Sequence, residues 1–249
     1  MSKLDYADTL VAKVNATIEA VFEVERSSLA KASEMLTNLI TEGGVLHIFG
    51  AGHSHLFAEE VTYRAGGLVP INPILDIGYT FMCGPPSRTS KLELLDGYVE
   101  TICDKYDMLK DEVLIVMSHS GRNPGPVGAA IHAKKRGLQV IAVTSLGQSS
   151  QQESKHSSGK RLFEIADIVI DNHVPFGDAA VELKKGEPKV APLSTIIGAT
   201  ILQALVAETV GRLLDRGIEP PVWISANIEG GEEHNQRMAG AYPSRQRAF

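Results

Sequence analysis

Two short loops in the sequence carry glycine beside serine, and each follows an apolar run typical of a β-strand. The first loop, residues 50–54, reads GAGHS and follows the run 45–49, whereas the second, residues 118–123, reads SHSGRN and follows the run 113–117. Glycine lets backbone N–H groups approach an anion, and serine adds an uncharged hydroxyl donor. A helix that begins at such a loop turns its positive end toward the same point. The two loops therefore predict a phosphate group held from two sides.

The elements that must position these loops follow from the apolar pattern. From residue 45 onward, apolar runs alternate with helical patterns, which predicts a parallel sheet with helices on both faces. Asn123 and Pro124 suit the N-cap and the first position of the helix after the second loop. Both loops are then expected at the carboxyl ends of strands, where ligands bind in α/β proteins. The strands are expected at 45–49, 69–75, 113–117, 139–143 and 167–171, and the helices at 54–66, 91–105, 124–136 and 194–216.

Three segments lie outside this alternation. Residues 4–41 contain no glycine or proline and repeat apolar residues at helical spacing, which predicts one long helix or two joined near Glu25. Such a helix covers the sheet or pairs with a second subunit. Residues 76–90 are rich in glycine and proline and are expected to form a loop beside the crevice. The polar residues 144–160 are expected to form a mobile loop or a short irregular helix.

The C-terminal region supplies a second set of chemically active residues. Glu233 and His234 follow a Gly-Gly pair, and adjacent acid and imidazole groups suit proton transfer at neutral pH. They are expected to fold over the crevice of the same or a neighbouring subunit, the alternative being a solvated polar tail. The chain is therefore divided into an N-terminal helical segment (1–42), an α/β domain (43–217) and a tail that closes on the site (218–249).

Composition excludes several functional classes. The 249 residues, 43% hydrophobic and 22% charged, are typical of a folded globular protein with one α/β domain. A net charge of −6 gives no electrostatic footprint for nucleic acid. No apolar run of membrane-spanning length and no signal-peptide core are apparent, so no membrane partner is expected. The two cysteines, Cys83 and Cys103, lack metal-type spacing, which is consistent with a reducing cytoplasm.

The first loop also has an alternative interpretation as a dinucleotide-binding turn. That motif requires a third glycine for close helix–strand packing, and His55 occupies the position. Asp76 lies roughly where a ribose-binding acid is expected. Because dinucleotide binding leaves the second serine loop unexplained, the phosphate interpretation is preferred.

The same residues resemble the sugar isomerase (SIS) domain family, in which a strand leads into Gly-x-Gly-x-Ser and a later Ser-x-Ser-Gly-x-Asn opens a helix. Residues 57–64 resemble the first helix of the family's bacterial phosphoheptose isomerases, 111–145 their strand–loop–helix–strand segment, and 166–170 their fifth strand. The resemblance implies a three-layer, flavodoxin-like α/β fold with a five-stranded parallel sheet after the helical segment. It also implies a homodimer or homotetramer whose active sites lie near subunit boundaries.

The resemblance further implies which residues surround a small-molecule sugar phosphate. Glu60 corresponds to the family's functional glutamate and is the expected base. Two plainer alternatives stay open: the serines and asparagine of the second loop only cap a helix, and Glu60 only forms an i,i+4 ion pair with Arg64. The expected binding residues are Gly52, His53, Ser54, Ser118, His119, Ser120, Asn123, Ser194 and Thr195.

The sequence departs from phosphoheptose isomerases at their zinc site. The position that holds a zinc-binding histidine in those enzymes is Leu56 here. The glutamine and histidine expected on the last long helix are also missing, with Ser194 and Leu202 near those positions. We therefore expect no metal and no other cofactor, with His53 and His55 as the alternative ligands if a metal binds.

The preferred function is phosphosugar binding with aldose–ketose isomerisation through an enediol-type proton transfer. Its catalytic candidates are Glu60, Glu233 and His234. One alternative is a non-catalytic sugar-phosphate sensor of the same fold, which needs none of these groups. A second is an amino-sugar-phosphate deaminase or an etherase-type lyase, in which Glu60 or Glu233 protonates a leaving group.

Overall fold

Five parallel strands form the central sheet of the computed structural model, which describes residues 4–81 and 84–242. Most strand residues are apolar and buried, because helices cover both faces of the sheet. This confirms the predicted fold class. The strands are β1 (Leu46–Gly50), β2 (Ile71–Ile74), β3 (Val113–Met117), β4 (Gln139–Thr144) and β5 (Ile168–Asp171), in the order β2-β1-β3-β4-β5.

The helices divide into two layers, one on each hydrophobic core. The first core is formed by helices from both ends of the chain and by the helix after β1, and the second by the helices between β2 and β4. The first layer holds α1 (Asp5–Val24), α2 (Arg26–Thr41), α3 (His55–Glu60) and α8 (Ser194–Asp215), and the second holds α4 (Pro86–Glu93), α5 (Tyr98–Cys103) and α6 (Pro124–Lys135).

The N-terminal segment consists of two helices that meet at Glu25, which is the second of the two predicted alternatives, rather than one long helix. Helix α2 packs along α8, where Leu36 and Leu205 are both buried in the first core. Arg212 of α8 and Arg216, the residue that caps its C-terminus, both pair with Glu34 of α2. The segment therefore covers one face of the sheet, which is the first of the two roles expected for it.

Several predicted boundaries are wrong, for local reasons. Helix α3 ends at Glu60 instead of continuing to residue 66, and a turn follows in which Tyr63 has a φ of 46°. The helix expected at 91–105 is two helices, separated at Gly97, which has a φ of 84°. Helix α4 begins at Pro86, inside the expected loop.

The segment 144–160 and the region after β5 also contain regular elements. A short helix, α7 (Leu146–Ser149), follows β4, and its N-cap Ser145 side chain accepts a hydrogen bond from the Gln148 N–H. The sequence pattern did not predict the antiparallel hairpin of β6 (Ala179–Val181) and β7 (Val190–Pro192).

Helix α8 corrects the expectation that no segment is long and apolar enough to cross a membrane. Its 22 residues meet that test by length and composition. Ile197, Ile201 and Leu205 of this helix are buried in the first core. Packing against the sheet and α2 therefore accounts for its apolar composition.

The C-terminal tail folds as a helix, α9 (Gly231–Gly240), beside the start of β2. Val69, Trp223 and Met238 form a small hydrophobic cluster, and Val222 makes an antiparallel bridge with Leu68. Because Leu68 precedes β2, the tail attaches at the amino end of that strand. Of the two cysteines, Cys103 is a buried free thiol, whereas Cys83 lies outside the described residues.

Candidate functional site

The sheet register brings the two serine loops together. Strands β1 and β3 are neighbours, and Gly50 at the end of one pairs with Met117 at the end of the other. Helix α3 leaves the first loop toward one face of the sheet, and α6 leaves the second loop toward the opposite face. Adjacent strands whose helices leave on opposite faces open a crevice at their carboxyl ends, which is the usual ligand site of such sheets.

The first loop folds back tightly on the end of β1. A Cβ atom at Gly50 would lie 2.1 Å from the Ser54 carbonyl oxygen, so only glycine fits there. Gly52 has a φ of 61°, a left-handed conformation, and its N–H donates to the Tyr79 carbonyl at 2.9 Å. The Ser54 hydroxyl makes no hydrogen bond to the part of the chain described, so it is available to a ligand.

Ser118 and Gly121 set the shape of the second loop. The Ser118 hydroxyl accepts a hydrogen bond from the Gly121 N–H at 3.2 Å. Gly121 has a φ of 58°, and a Cβ atom there would lie 2.7 Å from the Thr144 hydroxyl oxygen. Within residues 4–81 and 84–242, the Ser120 hydroxyl and the backbone N–H groups of Ser120 and Arg122 have no partner. The loop therefore presents several groups that can donate hydrogen bonds to an anion.

Helix α6 contributes fewer N–H donors for an anion than its position after the second loop predicts. Asn123 is the N-cap residue, but its side chain makes no capping bond and instead donates to Glu93 Oε1 at 3.0 Å. Pro124 and Pro126 lack an N–H group, which leaves the Gly125 N–H in the first turn. The donors for an anion therefore come mainly from the loop.

The ring of His119 lies beside the segment that follows β5. Its two ring nitrogens are shielded from solvent, and the ring lies close to Gln148, Pro175 and Asp178. Burial lowers the pKa of His119, which favours the neutral imidazole. In this arrangement the backbone of His119, rather than its ring, lies along the loop.

The start of α8 already binds a carboxylate. Asp178 Oδ1 accepts the N–H groups of Leu193 and Ser194 at 2.9 and 2.8 Å, and the Ser194 hydroxyl donates to Asp178 Oδ2 at 2.6 Å. The donors expected to hold phosphate at Ser194 are thus occupied by a residue of the chain itself. Thr195 is exposed and lines a different pocket.

That second pocket contains Glu60. Glu60 Oε1 pairs with the Arg64 guanidinium, and the Gln203 side-chain amide of α8 lies 3.4 Å from the same oxygen. The ion pair considered as an alternative therefore forms. The sequence reasoning missed Gln203, a polar residue on a largely apolar helix. The pocket of about 560 Å³ is lined by Leu56, Phe57, Glu59, Glu60, Thr195, Ile196 and Ala199.

The histidines of the first loop have separate roles. His55 is buried, with Nδ1 2.8 Å from Glu59 Oε1, and its Nε2 accepts the Asp76 N–H at 3.3 Å. Both nitrogens are engaged, so His55 has no free electron pair for a metal. His53 is exposed and stacks on Phe81 at 4.9 Å. Among the described residues, no three His, Cys, Asp or Glu side chains are grouped to hold a metal ion.

The acid expected for a dinucleotide ribose is also engaged. Asp76 Oδ1 accepts hydrogen bonds from the Gly78 N–H and the Tyr98 hydroxyl, both at 2.7 Å. Lys105 lies 3.7 Å from its other oxygen. The structure therefore gives no support to the dinucleotide interpretation.

The structure places the tail candidates away from the loops of their own chain. His234 Nε2 lies 2.9 Å from the Val222 carbonyl oxygen, next to the Leu68 bridge at the amino end of β2. Glu233 is exposed on the same helix. The serine loops lie at the opposite, carboxyl ends of the strands.

A polar segment, residues 150–162, crosses the second loop and is called the strap below. Its backbone donates from Lys155 N to the Arg122 carbonyl at 2.9 Å and from Leu162 N to the Gly121 carbonyl at 2.8 Å. Lys155 carries positive charge to the loop and is close enough to act on the Glu93 carboxyl. The sequence patterns did not single out Glu93, Arg122 or Lys155. Arg122 lies in the second loop, and Lys155 lies in the polar segment 144–160.

Comparisons with known proteins agree with this geometry. The family model of the SIS domain matches residues 9–145. A UPF0309 protein of Halalkalibacterium halodurans is 44% identical over 233 residues, which are 94% of this chain and 93% of that protein.

Two solved structures share the fold. A phosphoheptose isomerase from Francisella tularensis has a TM-score of 0.56 at 16% identity, covering 85% of this chain and 100% of that one. The phosphoheptose isomerase of Neisseria gonorrhoeae has a TM-score of 0.53 at 15% identity, covering 81% and 95%. This chain shares the fold of those proteins, and it belongs to the SIS domain family.

Proposed function

We propose that this protein binds a sugar phosphate in the crevice between the two serine loops and interconverts its aldose and ketose forms. The observation that carries the proposal is the pairing of Gly50 with Met117, because it sets two loops with unused donors side by side. Hydroxyl and N–H donors of this kind bind a phosphate dianion through charge-assisted hydrogen bonds. Arg122 and Lys155 add positive charge at the second loop.

Glu60 is the proposed base. In the isomerisation, a base removes the proton from C2 of the aldose, and the C–H electron pair forms the C1–C2 double bond of an enediolate with its charge on O1. O1 then gains a proton as O2 loses one, and the base returns its proton to C1. The Arg64 guanidinium and the Gln203 amide both contact Glu60 Oε1 and so fix the orientation of its carboxyl group. Helix α3 begins directly after the first loop and ends at Glu60, so one short helix joins the two.

The ion pair also supports a second candidate function. If Arg64 holds Glu60 permanently, the carboxylate is not available to abstract a proton. The protein then binds the same sugar phosphate through the two loops and acts as a non-catalytic sensor.

A second copy of the chain is proposed to complete the Glu60 pocket. Leu56 and Ile196 line it, and each exposes 42% of its surface, so the two side chains offer apolar area that a second copy can cover. A partner subunit that covers them would also bring its own Glu233 and His234 near a site that they do not reach within one chain. Mass measurement by light scattering at several concentrations tests for the homodimer or homotetramer, and a monomer at every concentration contradicts it.

Two linked measurements test the proposed activity. A thermal-shift panel of sugar phosphates identifies the ligand, because a ligand of the folded state raises the apparent stability. The best ligand is then incubated with the protein in deuterated water and examined for deuterium at C1 and C2. Exchange with an interconverted product supports the isomerase, and stabilisation without exchange or product supports the sensor. If no sugar phosphate raises the Tm, both functions are excluded.

A further inference from the structure

The second loop has a carboxyl neighbour, Glu93, whose position capping alone does not explain. Glu93 is the last residue of α4, and it accepts the hydrogen bond from the Asn123 side chain. A Cβ atom at Gly125 would lie 3.4 Å from Glu93 Cγ, so the side chain lies directly against the first turn of α6. Even so, Glu93 accepts no hydrogen bond from a backbone N–H of that turn in the described part of the chain. The donors of the second loop therefore stay unused beside a carboxyl group.

This environment favours a protonated carboxyl. The groups that face Glu93 are the Asn123 amide beside α6, the Tyr79 phenol from the segment after β2 and the Lys155 ammonium from the strap. Burial is the largest effect and raises the pKa of Glu93, whereas the amide and the ammonium oppose the rise. A dianion on the adjacent loop adds like-charge repulsion, which disfavours the ionised carboxyl further.

We propose that Glu93 faces the bound phosphosugar from the α6 side of the crevice and takes up a proton when the second loop holds the phosphate. Its carboxyl then donates a hydrogen bond to a sugar oxygen. This inference rests on the proposed function, and it adds a second carboxyl with a role different from that of Glu60. It selects ligands that carry an acceptor oxygen near the phosphate, as phosphorylated hydroxy aldehydes and ketones do.

Proton uptake on anion binding tests the inference directly. Sulfate is the probe, because it is a dianion that does not titrate between pH 5 and 8, whereas phosphate does. Calorimetric titrations at pH 6 in two buffers of different ionisation enthalpy give the protons taken up per sulfate. Comparing wild type with Glu93→Gln subtracts the proton uptake of all other groups.

Glu100 provides a matched control on the same helix layer. It lies against Gly128, one turn along α6 from Gly125, with Oε1 3.2 Å from where a Cβ atom would stand, but it does not contact Asn123. We expect wild type and Glu100→Gln to take up a fraction of a proton more per sulfate than Glu93→Gln. Glutamine mimics the protonated acid, so Glu93→Gln is also expected to bind sulfate more tightly than wild type at pH 8.

Two results overturn the inference in distinguishable ways. If sulfate binds and the wild-type protein takes up no more protons than Glu93→Gln, Glu93 has no such role, whereas the phosphate site stands. If neither sulfate nor any sugar phosphate binds the wild-type protein, the proposed function itself fails. Circular dichroism of each variant shows that it is folded before it is compared.

Discussion

The helices packed on the two faces of the sheet hold carboxyl groups in opposite environments. On the α3 side, Glu60 pairs with the Arg64 guanidinium and exposes 36% of its side chain. On the α6 side, Glu93 is partly buried against Gly125, and its hydrogen-bond partner is the neutral Asn123 amide. Environments that differ in this way separate a carboxylate that accepts a proton from a carboxylic acid that donates one. The proposed base is therefore Glu60 of α3, and the proposed acid is Glu93 of α4.

Removing the α3 carboxylate is expected to give the largest effect. Glu60→Gln should lower the rate of isomerisation by about 10²–10⁴-fold, the usual contribution of a general base, with sugar-phosphate affinity little changed. The rate of deuterium exchange at C2 measures the loss. Glu208→Gln is the control, because Glu208 is exposed on α8 and meets only Arg212, at 4.0 Å. Unchanged exchange in Glu60→Gln would remove the assignment of the base.

Changing the serines of the second loop should have the next largest effect, on the affinity for the sugar phosphate. Ser120→Ala deletes a hydroxyl with no partner in the described chain, so we expect a loss of about 1.5–3 kcal/mol of binding free energy, roughly a 10–100-fold higher Kd. Ser118→Ala instead removes the acceptor for the Gly121 N–H and is expected to lower the Tm as well. If calorimetry gives Ser120→Ala and wild type the same affinity for the sugar phosphate, the second loop does not bind the phosphate group as proposed.

Glu93 is expected to make the stability of the fold depend on pH. A carboxyl whose folded pKa is raised stabilises the fold fully below its unfolded pKa, and this stability is lost as the pH rises through the folded value. Glu93→Gln lacks that loss. Its Tm should therefore exceed that of wild type by a few degrees at pH 8, and the difference should shrink toward pH 4. A constant difference across this range would show that Glu93 does not titrate as described.

Metal removal should have the smallest effect on either side. Both nitrogens of His55 are engaged, and Leu56 beside it offers no ligand to a metal. Dialysis against a chelator is therefore expected to leave activity and Tm unchanged. A loss of activity that added zinc restores would show that the two sides of the crevice share a metal.

The part of the site that the sequence predicted depends on local patterns. Strand-like runs and the glycine and serine residues after them predicted the sheet and both loops, because backbone conformation there is set by neighbouring residues. Gly52 and Gly121 both have positive φ angles that favour glycine. The position of β3 beside β1 agrees with the flavodoxin-like sheet that the family resemblance implied.

The rest depends on contacts between segments far apart in the chain. The Asp178 carboxylate accepts a hydrogen bond from the Ser194 hydroxyl. Asp178 has a φ of 68°, which a sequence pattern does not predict for aspartate. Glu93 and Lys155 lie near the second loop only because α4 and the strap pack there. No spacing along the chain indicates that Asn123 turns from its helix to Glu93.

A crystal structure with a bound sugar phosphate tests the central claim most directly. The account predicts the phosphate between the two loops, within hydrogen-bond distance of the Ser54 and Ser120 hydroxyls and the backbone N–H groups of the second loop. It also predicts a sugar oxygen within hydrogen-bond distance of Glu93. A phosphate bound elsewhere, for example in the pocket lined by Lys13, His173 and Lys189, with the crevice empty, would contradict the account.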